Sequence, residues 1–408
     1  MSKTVVIAGA LDTKGAEFAF VKELIESHGV STVLVDFGVL GEPTTPPEVS
    51  NAEVAKAGGG DLEELRSFKN KAEAMKIMTA GLTAVVRELY AKGRLQGLLG
   101  MGGTGGTAIA TAAMRALPVG VPKVMVSTVG GSDVSPYVAS RDIVMIPSVV
   151  DVAGINRISR LIYANAAGAI AGMVKTEASV PEKKRPLIAT SMFGNTTQCV
   201  DRSRTALEEQ GYEVLVFHAT GAGGRTMKSL ADDGFLNGIL DLTTTELADE
   251  VCGGVFSAGP ERPHMASARS IPMVLAPGCV DMCNFWARRT VPEKYQGRKL
   301  YEWNPNVTLM RTNIEENERI GKLLAATANL AKGAVAVVVP LRGVSMLDSV
   351  GNPFWDPAAD RSCFEAIKSN LKSDIPFLEL DANINDFSFA DCATRLLLDM
   401  LKKEAEEA

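Results

Sequence analysis

The sequence predicts an α/β protein made of two Rossmann-like, doubly wound parallel-sheet domains related by an internal duplication. Short, almost continuous apolar segments alternate with helical patterns, which is typical of parallel strands covered on both faces. The length of 408 residues suits two domains of ordinary size. The two halves also open alike, each with a strand, a loop, a helix, a glycine and a second strand.

The repeated units are similar over several elements. The first half has the strand TVVIAGALDTKG, a predicted helix over Phe18–Ser27 and the strand TVLVDFG. The second half has PLIATSMFGNTT, a predicted helix over Val200–Gln210 and EVLVFHA. Farther along, VPKVMVSTVGGSD in the first half resembles IPMVLAPGCVD in the second.

We place the nucleotide-binding domain at residues 1–180 and the second domain at residues 187–408. The segment between them, VPEKKRP, has prolines around a charged cluster and is predicted to be a solvated connector. The first domain carries an insert at about residues 51–94, with a helical pattern and Asp61 as a good N-cap. This insert is expected to be a lid or a dimer arm.

Composition excludes several classes of protein. The net charge is −6 and the longest basic run is short, which argues against binding to nucleic acid. No apolar run is long enough for a membrane span, and no signal-peptide pattern precedes the first strand, so a cytoplasmic location is expected. The six cysteines are scattered and are predicted to be free thiols.

The most informative motif is GMGGTGGT at residues 100–107, between a short apolar run and an alanine-rich helical pattern. A glycine turn between a strand and a helix lets bare backbone amides approach a phosphate at the helix N-terminus. The candidate phosphate-binding residues are Gly102, Gly103, Thr104, Gly105, Gly106 and Thr107. The alternative is a tight turn that binds no ligand.

Two better-known nucleotide motifs do not fit this loop. A dinucleotide fingerprint needs an acidic residue farther along, but none occurs between Thr107 and Asp133, so NAD is disfavoured. The Lys-Ser/Thr pair of a P-loop is replaced by Gly106-Thr107.

Other polar loops are predicted at the same end of the first sheet, where parallel sheets bind ligands. After the first strand, Asp12, Thr13 and Lys14 could bind Mg²⁺ and phosphate, or simply cap the next helix. After a later strand, Gly130 and Gly131 form a second glycine-rich turn. Asp133 follows them as a candidate for ribose or metal, with a loop cap as the alternative.

In the second half, His218, Arg225 and Asp281 are the candidate catalytic residues. His218 ends a strand, where it could act as a general base or pack as a structural histidine. Arg225 follows a glycine pair and could clamp an anion with the neighbouring amides. Asp281 lies in the loop that corresponds to the one holding Asp133.

The motifs GMGGTGGT, HATGAGGRTM, PGCVDMCNF and NPNVTLMRT together resemble the Tm-one-like ATP-binding family. Its bacterial and fungal members are similar to the N-terminal domain of a tomato protein that inhibits tobamovirus replication. The resemblance implies two Rossmann-like subdomains, ATP bound with Mg²⁺ in the first subdomain, and a homodimer. It carries the phosphate role to residues 102–107, and more loosely to residues 12–14 and to Gly130 and Gly131. Trp303 stands where family members often have histidine. This difference weakens the case for a catalytic histidine at that position.

Three functions are compatible with these features. The first is an ATP-dependent enzyme of small-molecule metabolism that works in a cleft between its domains. The second is a non-catalytic, nucleotide-stabilised dimer that binds another protein. The third is a metabolic enzyme whose glycine loops hold a phosphorylated or carboxylated substrate instead of ATP.

Overall fold

A computed structural model describes residues 3–67, 70–177 and 185–407. The chain divides into two compact units, unit 1 (Met1–Val180) and unit 2 (Pro181–Ala408). Both are built on parallel sheets with helices on both faces, which confirms the predicted fold class. The predicted connector lies largely outside the described residues, at 178–184.

Unit 1 contains a five-stranded parallel sheet in the order β2-β1-β3-β4-β5. Its elements follow the chain as β1 (Thr4–Gly9), α1 (Leu11–Ser27), β2 (Ser31–Asp36), α2 (Asn51–Ala57), α3 (Leu62–Ser67), α4 (Lys71–Ala91), β3 (Gly97–Gly102), α5 (Thr104–Arg115), β4 (Lys123–Ser127), α6 (Ser135–Val138), β5 (Val144–Pro147) and α7 (Arg157–Lys175). One apolar core forms under α1 and α7, and another forms under α2, α4 and α5 on the other face.

Unit 2 contains a six-stranded parallel sheet and a small antiparallel sheet. Its elements are β6 (Leu187–Met192), α8 (Thr197–Glu209), β7 (Glu213–His218), α9 (Ala222–Asp233), β8 (Gly238–Thr243), α10 (Thr245–Cys252), β9 (Met273–Gly278), β10 (Met282–Phe285), β11 (Leu300–Asn304), β12 (Val307–Arg311), α11 (Ile314–Leu330), β13 (Val335–Pro340), α12 (Pro357–Asn370), β14 (Phe377–Leu380) and α13 (Phe387–Glu407). The parallel sheet has the order β14-β13-β9-β8-β6-β7, and the antiparallel sheet has the order β10-β12-β11.

The duplication is visible in the strand orders. Read from β7, the first five strands of the parallel sheet in unit 2 repeat the order of the sheet in unit 1. Each unit therefore reverses its winding direction between its first and third strands. In such sheets the crevice at that reversal, beyond the carboxyl ends of the strands, is the usual place for a ligand.

Several local predictions are refined. Residues 11–15, predicted as a loop, form the first turn of α1, with a non-helical backbone at Lys14 (φ −136°, ψ 21°). The insert is helical and its predicted N-cap is confirmed, because the Asp61 carboxylate accepts the amides of Glu63 and Glu64. The antiparallel sheet was not predicted.

Within the described ranges, no helix combines the length and the apolar character that crossing a membrane requires.

Candidate functional site

Unit 1 has a pocket of about 700 Å³ at the carboxyl ends of β1, β2 and β3. The neighbouring strands β1 and β3 are the ones between which the winding reverses. The volume lies within the usual range for small-molecule sites, roughly 300–1,000 Å³. The residues that line the pocket are Ala10, Asp12, Thr13, Lys14, Phe37, Gly38, Val39, Leu40, Leu65, Arg66, Asn70, Lys71, Ala74, Met75, Met78, Met101, Gly102, Gly103, Gly105, Gly106 and Ile109.

The glycine loop forms the N-terminus of α5 at one side of this pocket. Gly103 is the N-cap, and no side chain caps the helix there. The amide of Thr107 donates to the carbonyl of Gly103 at 2.9 Å, which is the first hydrogen bond of the helix. The amides of Thr104, Gly105 and Gly106 precede that bond and have no intrahelical acceptor. They concentrate the positive end of the helix dipole beside the pocket.

Packing does not explain the glycines at the mouth of this loop. A Cβ atom built on Gly105 lies 3.6 Å from the sulfur of Met75, and one built on Gly103 lies 3.8 Å from the hydroxyl of Thr128, which are ordinary contacts. By contrast, a Cβ on Gly100 would lie 2.8 Å from the Cβ of Ala110, so that glycine is needed for α5 to pack on β3. Gly103 and Gly105 therefore leave space that the protein itself does not use.

The predicted residues after β1 also line the pocket. Asp12 Oδ2 accepts the amides of Leu40 (2.7 Å) and Gly41 (3.2 Å), while Oδ1 is buried and has no hydrogen-bond partner among the described residues. Lys14 Nζ donates to the carbonyl of Val152. Asp12 thus holds the loop after β2 with one oxygen, and its other oxygen is buried against Gly38 without a partner among the described residues.

The insert supplies pocket residues that the sequence analysis did not identify. Arg66 on α3 donates to the carbonyl of Gly41 at 2.7 Å and to the carboxylates of Glu42 and Glu63. Lys71 begins α4, and its cation lies at the same rim. The sequence did reveal the insert, which we expected to be a lid or a dimer arm. It did not reveal which residues of the insert would line the pocket.

Asp36 was also overlooked as a residue that shapes the site. It ends β2, is fully buried, and accepts the amides of Leu11 (3.0 Å) and Gly38 (2.8 Å) through Oδ1. Burial raises the pKa of its carboxyl group, although these amide hydrogen bonds oppose the effect. Asp36 therefore joins the loops that follow β1 and β2 underneath the pocket.

Five of the predicted ligand residues do not line the pocket. Thr107 is buried, and its hydroxyl lies 2.7 Å from that of Ser127. Asp133 is exposed and accepts the amide of Ser135, and hydrogen bonding to Ser135 lowers the pKa of its carboxyl group. The remaining three are Thr104, Gly130 and Gly131.

The glycine loop of unit 2 is occupied by the protein's own carboxylate. Glu246 is buried, and its Oε1 accepts the amides of Gly221 (2.8 Å) and Gly224 (3.0 Å) at the start of α9. Its Oε2 pairs with Arg262, which in turn forms a bidentate pair with Asp241. The prediction that these amides bind an external anion is therefore wrong for Gly224.

His218 and Arg225 stay accessible near this loop. The imidazole of His218 is exposed at the end of β7 and packs on Phe193, with 5.4 Å between ring centroids. Desolvation by the packed rings lowers the pKa of His218, although the charge of Glu246 opposes this effect, and the lowered pKa favours the neutral imidazole. Arg225 is exposed, and one of its guanidinium nitrogens donates to the carbonyl of Ser257 at 3.1 Å.

Asp281 belongs to a different, buried cluster. It is fully buried, and Oδ2 accepts the hydroxyl of Ser345 at 2.8 Å. Burial and the nearby carboxylate of Asp348 raise the pKa of Asp281, and the Arg311 guanidinium opposes them. Arg311 forms its own ion pair with Asp360 at 2.6 Å. The chain after β9 leads into the small antiparallel sheet, and Asp281 is buried there. It is therefore not exposed in the way that His218 and Arg225 are.

Comparison with known proteins supports one family. Residues 3–179 match the N-terminal domain of an uncharacterised protein family, UPF0261, and residues 185–401 match its C-terminal domain. A UPF0261 protein of Clostridium tetani is 47% identical over 404 residues, covering 99% of this chain and 100% of that protein. The ToMV resistance protein Tm-1 of Solanum lycopersicum is 36% identical over 428 residues, covering 98% of this chain and 56% of that protein.

Among solved structures, the chain is similar to UDP-GlcNAc 2-epimerase from Neisseria meningitidis bound to UDP-GlcNAc, at 10% identity and a TM-score of 0.25, with 67% of this chain and 82% of that chain covered. The expected resemblance to Tm-1 proteins is confirmed at 35–36% identity over nearly the whole chain. The matches to both halves show that the chain belongs to the uncharacterised protein family UPF0261.

Proposed function

We propose that unit 1 binds ATP with Mg²⁺ in the pocket beside the glycine loop. The observation that carries this proposal is the combination of unpaired amides at the start of α5 with glycines that neither packing nor backbone conformation requires. Glycine in a helix turn is disfavoured by about 1 kcal/mol relative to alanine. Glycine is acceptable at the N-cap position of Gly103, whereas an approaching phosphate would explain the glycine at position 105, inside the first turn.

The polar side of the pocket suits the phosphates. The amides of residues 104–106 and the dipole of α5 favour an anion, and Lys14 adds a cation on the β1 side. Lys71 adds a cation from the insert, whereas the guanidinium of Arg66 is already paired with Glu42 and Glu63. These groups converge from three parts of the chain on one cavity.

Apolar side chains in the lining of the same pocket suit a nucleobase. They include Leu65, Met75, Met78 and Ile109, and Met75 lies beside Gly105. Flexible, polarisable methionine side chains adapt to a flat ring and make favourable contacts with aromatic groups. A base packed on these side chains would lie next to phosphates bound at the glycine loop.

The residues present also fit Mg²⁺. This ion usually keeps several waters and takes one or two carboxylates together with substrate phosphates. Asp12 lines the same pocket as Lys14 and the glycine loop, and its buried Oδ1, unpartnered among the described residues, would reach the ion after a rotation of the side chain. Within the described ranges no three acidic, histidine or cysteine side chains form a metal cluster, so the phosphates would complete the coordination.

An ATP-dependent enzyme of small-molecule metabolism is the leading functional proposal. Positioned phosphates and Mg²⁺ are the main requirements for phosphoryl transfer. Detection of ADP release with a small acid would support this proposal over simple binding. The six free cysteines, five of them buried, favour the reducing cytoplasm as the location.

A nucleotide-stabilised homodimer that binds another protein is the second candidate. It is favoured by large apolar side chains that stay exposed in unit 1, among them Val144 (41%), Val149 (72%) and Leu161 (62%). Sedimentation velocity with and without ATP·Mg²⁺ measures the dimer fraction. An increase with nucleotide and no ADP release under a panel of metabolites would favour this candidate.

Isothermal titration calorimetry with ATP·Mg²⁺ tests the binding proposal. The wild type is expected to release or absorb heat saturably, and Gly105→Val is expected to abolish the signal because its side chain enters the pocket. Gly172→Val on α7 is the matched control, since Gly172 is also helical and has open space around its Cβ position. Absence of heat with the wild type at millimolar nucleotide would exclude the proposal. Competition by a phosphorylated or carboxylated metabolite would point instead to such a substrate in this pocket.

A further inference from the structure

Unit 2 carries a row of four ring side chains near the carboxyl ends of β6 and β7. Phe193 directly follows β6 and packs on His218 at the end of β7, with ring centroids 5.4 Å apart. Phe256 lies 6.2 Å from Phe193, and Trp286 lies 5.4 Å from Phe256 in an edge-to-face arrangement. We call Phe193, His218, Phe256 and Trp286 the aromatic row.

Part of this row faces solvent. Trp286 is 50% exposed, and Trp303, which is 39% exposed, reaches within 3.5 Å of the Cβ position of Gly194 in the loop after β6. Tryptophan is highly buried on average, so two exposed indoles beside one strand end are informative. Clustered exposed aromatic surface commonly marks a binding site.

A cation lies at the same place. A Cβ atom built on Gly221 would lie 3.3 Å from Nη1 of Arg225 and 3.2 Å from the carbonyl oxygen of Phe256, so this guanidinium lies near the backbone of one member of the aromatic row. Arg225 Nη1 donates to the carbonyl of Ser257, while the other guanidinium nitrogens have no hydrogen bond assigned within the described part of the chain. The guanidinium fork matches a carboxylate in a bidentate geometry.

Glu246 already accepts two of the nearby amides, those of Gly221 and Gly224, and its buried carboxylate disfavours a second anion at this helix start. A multiply charged phosphate would therefore meet one exposed cation and a buried carboxylate behind it. A monoanion is better matched to a single guanidinium. The neutral imidazole of His218 can donate or accept one further hydrogen bond.

The geometry points to a binding site for a small, ring-bearing carboxylate on unit 2. The ring packs on Trp286 and Trp303, and the carboxylate pairs with Arg225. The carboxyl ends of parallel strands are where such sheets bind ligands, so the position fits the fold. The site is argued without a nucleotide and its test contains none, so it can fail independently of the ATP proposal.

The tryptophans make a direct test available. The chain has three, Trp286, Trp303 and Trp355, so in a Trp355→Phe background both remaining fluorophores belong to the proposed site. This protein is titrated with benzoate and with D-glucuronate while tryptophan emission is followed. Acetate, which lacks a ring, and D-glucose, which lacks a carboxylate, are the control ligands.

We expect a saturable change in emission with benzoate or D-glucuronate at concentrations where acetate and D-glucose have little effect. Arg225→Gln should weaken binding by about tenfold or more, since it removes a charge-assisted pair. Arg204→Gln on α8, an equal change of charge at an exposed arginine, should not. Circular dichroism melting curves identify any variant that fails to fold.

A response to benzoate alone would identify an aromatic acid as the ligand class, and a response to D-glucuronate alone would identify a sugar acid. Two results would overturn the proposal. One is that neither ring carboxylate gives a saturable change. The other is that Arg225→Gln and Arg204→Gln have equal effects on the titration.

Discussion

Replacing Gly105 by alanine should make the protein more stable and a poorer nucleotide binder at the same time. Gly105 lies in the first turn of α5, and its added methyl group would meet the side chain of Met75 at distances of 3.6 and 3.8 Å without a clash. The glycine therefore costs stability in the unliganded protein. The proposed phosphate ligand supplies a reason for a glycine here, because the phosphates would occupy the space that the methyl group takes.

The magnitude follows from the backbone and the size of unit 1. Gly→Ala at a compatible position stabilises by about 0.4–1 kcal/mol, mainly by restricting the unfolded chain. For a domain of this size, 1 kcal/mol shifts the melting temperature by roughly 2–4 °C. We expect Gly105→Ala to raise the melting temperature of unit 1 by about 1–4 °C without nucleotide.

The response to ATP·Mg²⁺ should change in the opposite direction. At a ligand concentration of about one hundred times Kd, the wild type should gain about 2.7 kcal/mol. The alanine keeps its backbone amide, but its methyl group would displace the phosphate from that amide. Loss of one hydrogen bond to a charged group costs about 1.5–3 kcal/mol, which weakens binding by about tenfold or more. At the same ligand concentration, the variant should then gain about half as much as the wild type, or less.

Differential scanning calorimetry with and without ATP·Mg²⁺ measures both effects. Gly172→Ala is the control, because it makes the same change at an exposed helical glycine outside the pocket. This control should be stabilised without nucleotide and should keep the full nucleotide shift. Destabilisation of Gly105→Ala without nucleotide would show that the fold needs this glycine. A full nucleotide shift in Gly105→Ala would show that the phosphates lie elsewhere.

Three further predictions concern unit 2. Calorimetry should find one ATP per chain and not two, because Glu246 already occupies the second glycine loop. Asp281 is buried and the pKa of its carboxyl group is raised, so the folded state keeps a proton that the unfolded chain loses above about pH 4. The free energy of unfolding should therefore fall as the pH rises from there through the folded pKa. Urea unfolding between about pH 5 and pH 8 should therefore show a shallower decline for Asp281→Asn than for wild type, whereas exposed Asp133→Asn should follow wild type. Arg262→Met should cost about 3–5 kcal/mol in urea unfolding, because two buried carboxylates lose their partner, while Arg202→Met at an exposed pair should cost about 1 kcal/mol or less. Two ATP per chain, parallel pH profiles for Asp281→Asn and wild type, or equal costs at the two arginines would contradict the respective prediction.

Much of the fold could be predicted because its signals are local. The apolar strands of the two parallel sheets stand out as continuous runs, such as β1 and β13, since both of their faces are buried. The antiparallel sheet could not be predicted in this way. Its strands β10, β11 and β12 are only four or five residues long, and β11 is largely exposed.

The candidate site was predictable in part. The loop after β3 and residues 12–14 were identified because a parallel sheet brings such loops to one end. Arg66, Lys71 and Met75 were not, because they come from a helical insert whose docking onto the pocket depends on contacts between distant segments. Asp36 was missed because its two amide partners lie in loops that only the folded sheet brings together.

The amino-acid sequence by itself determined the two parallel α/β units, their duplication and the presence of a glycine-rich turn before a helix in each. These depend on residue periodicity and on the conformational range of glycine, which are properties of short segments. Only the tertiary structure decided which turn is open. In unit 1 the glycines at the start of α5 line a pocket, whereas in unit 2 the buried carboxylate of Glu246 accepts the amides of Gly221 and Gly224 at the start of α9. That difference arises because hydrogen-bond partners far apart in the chain meet only when the core is packed.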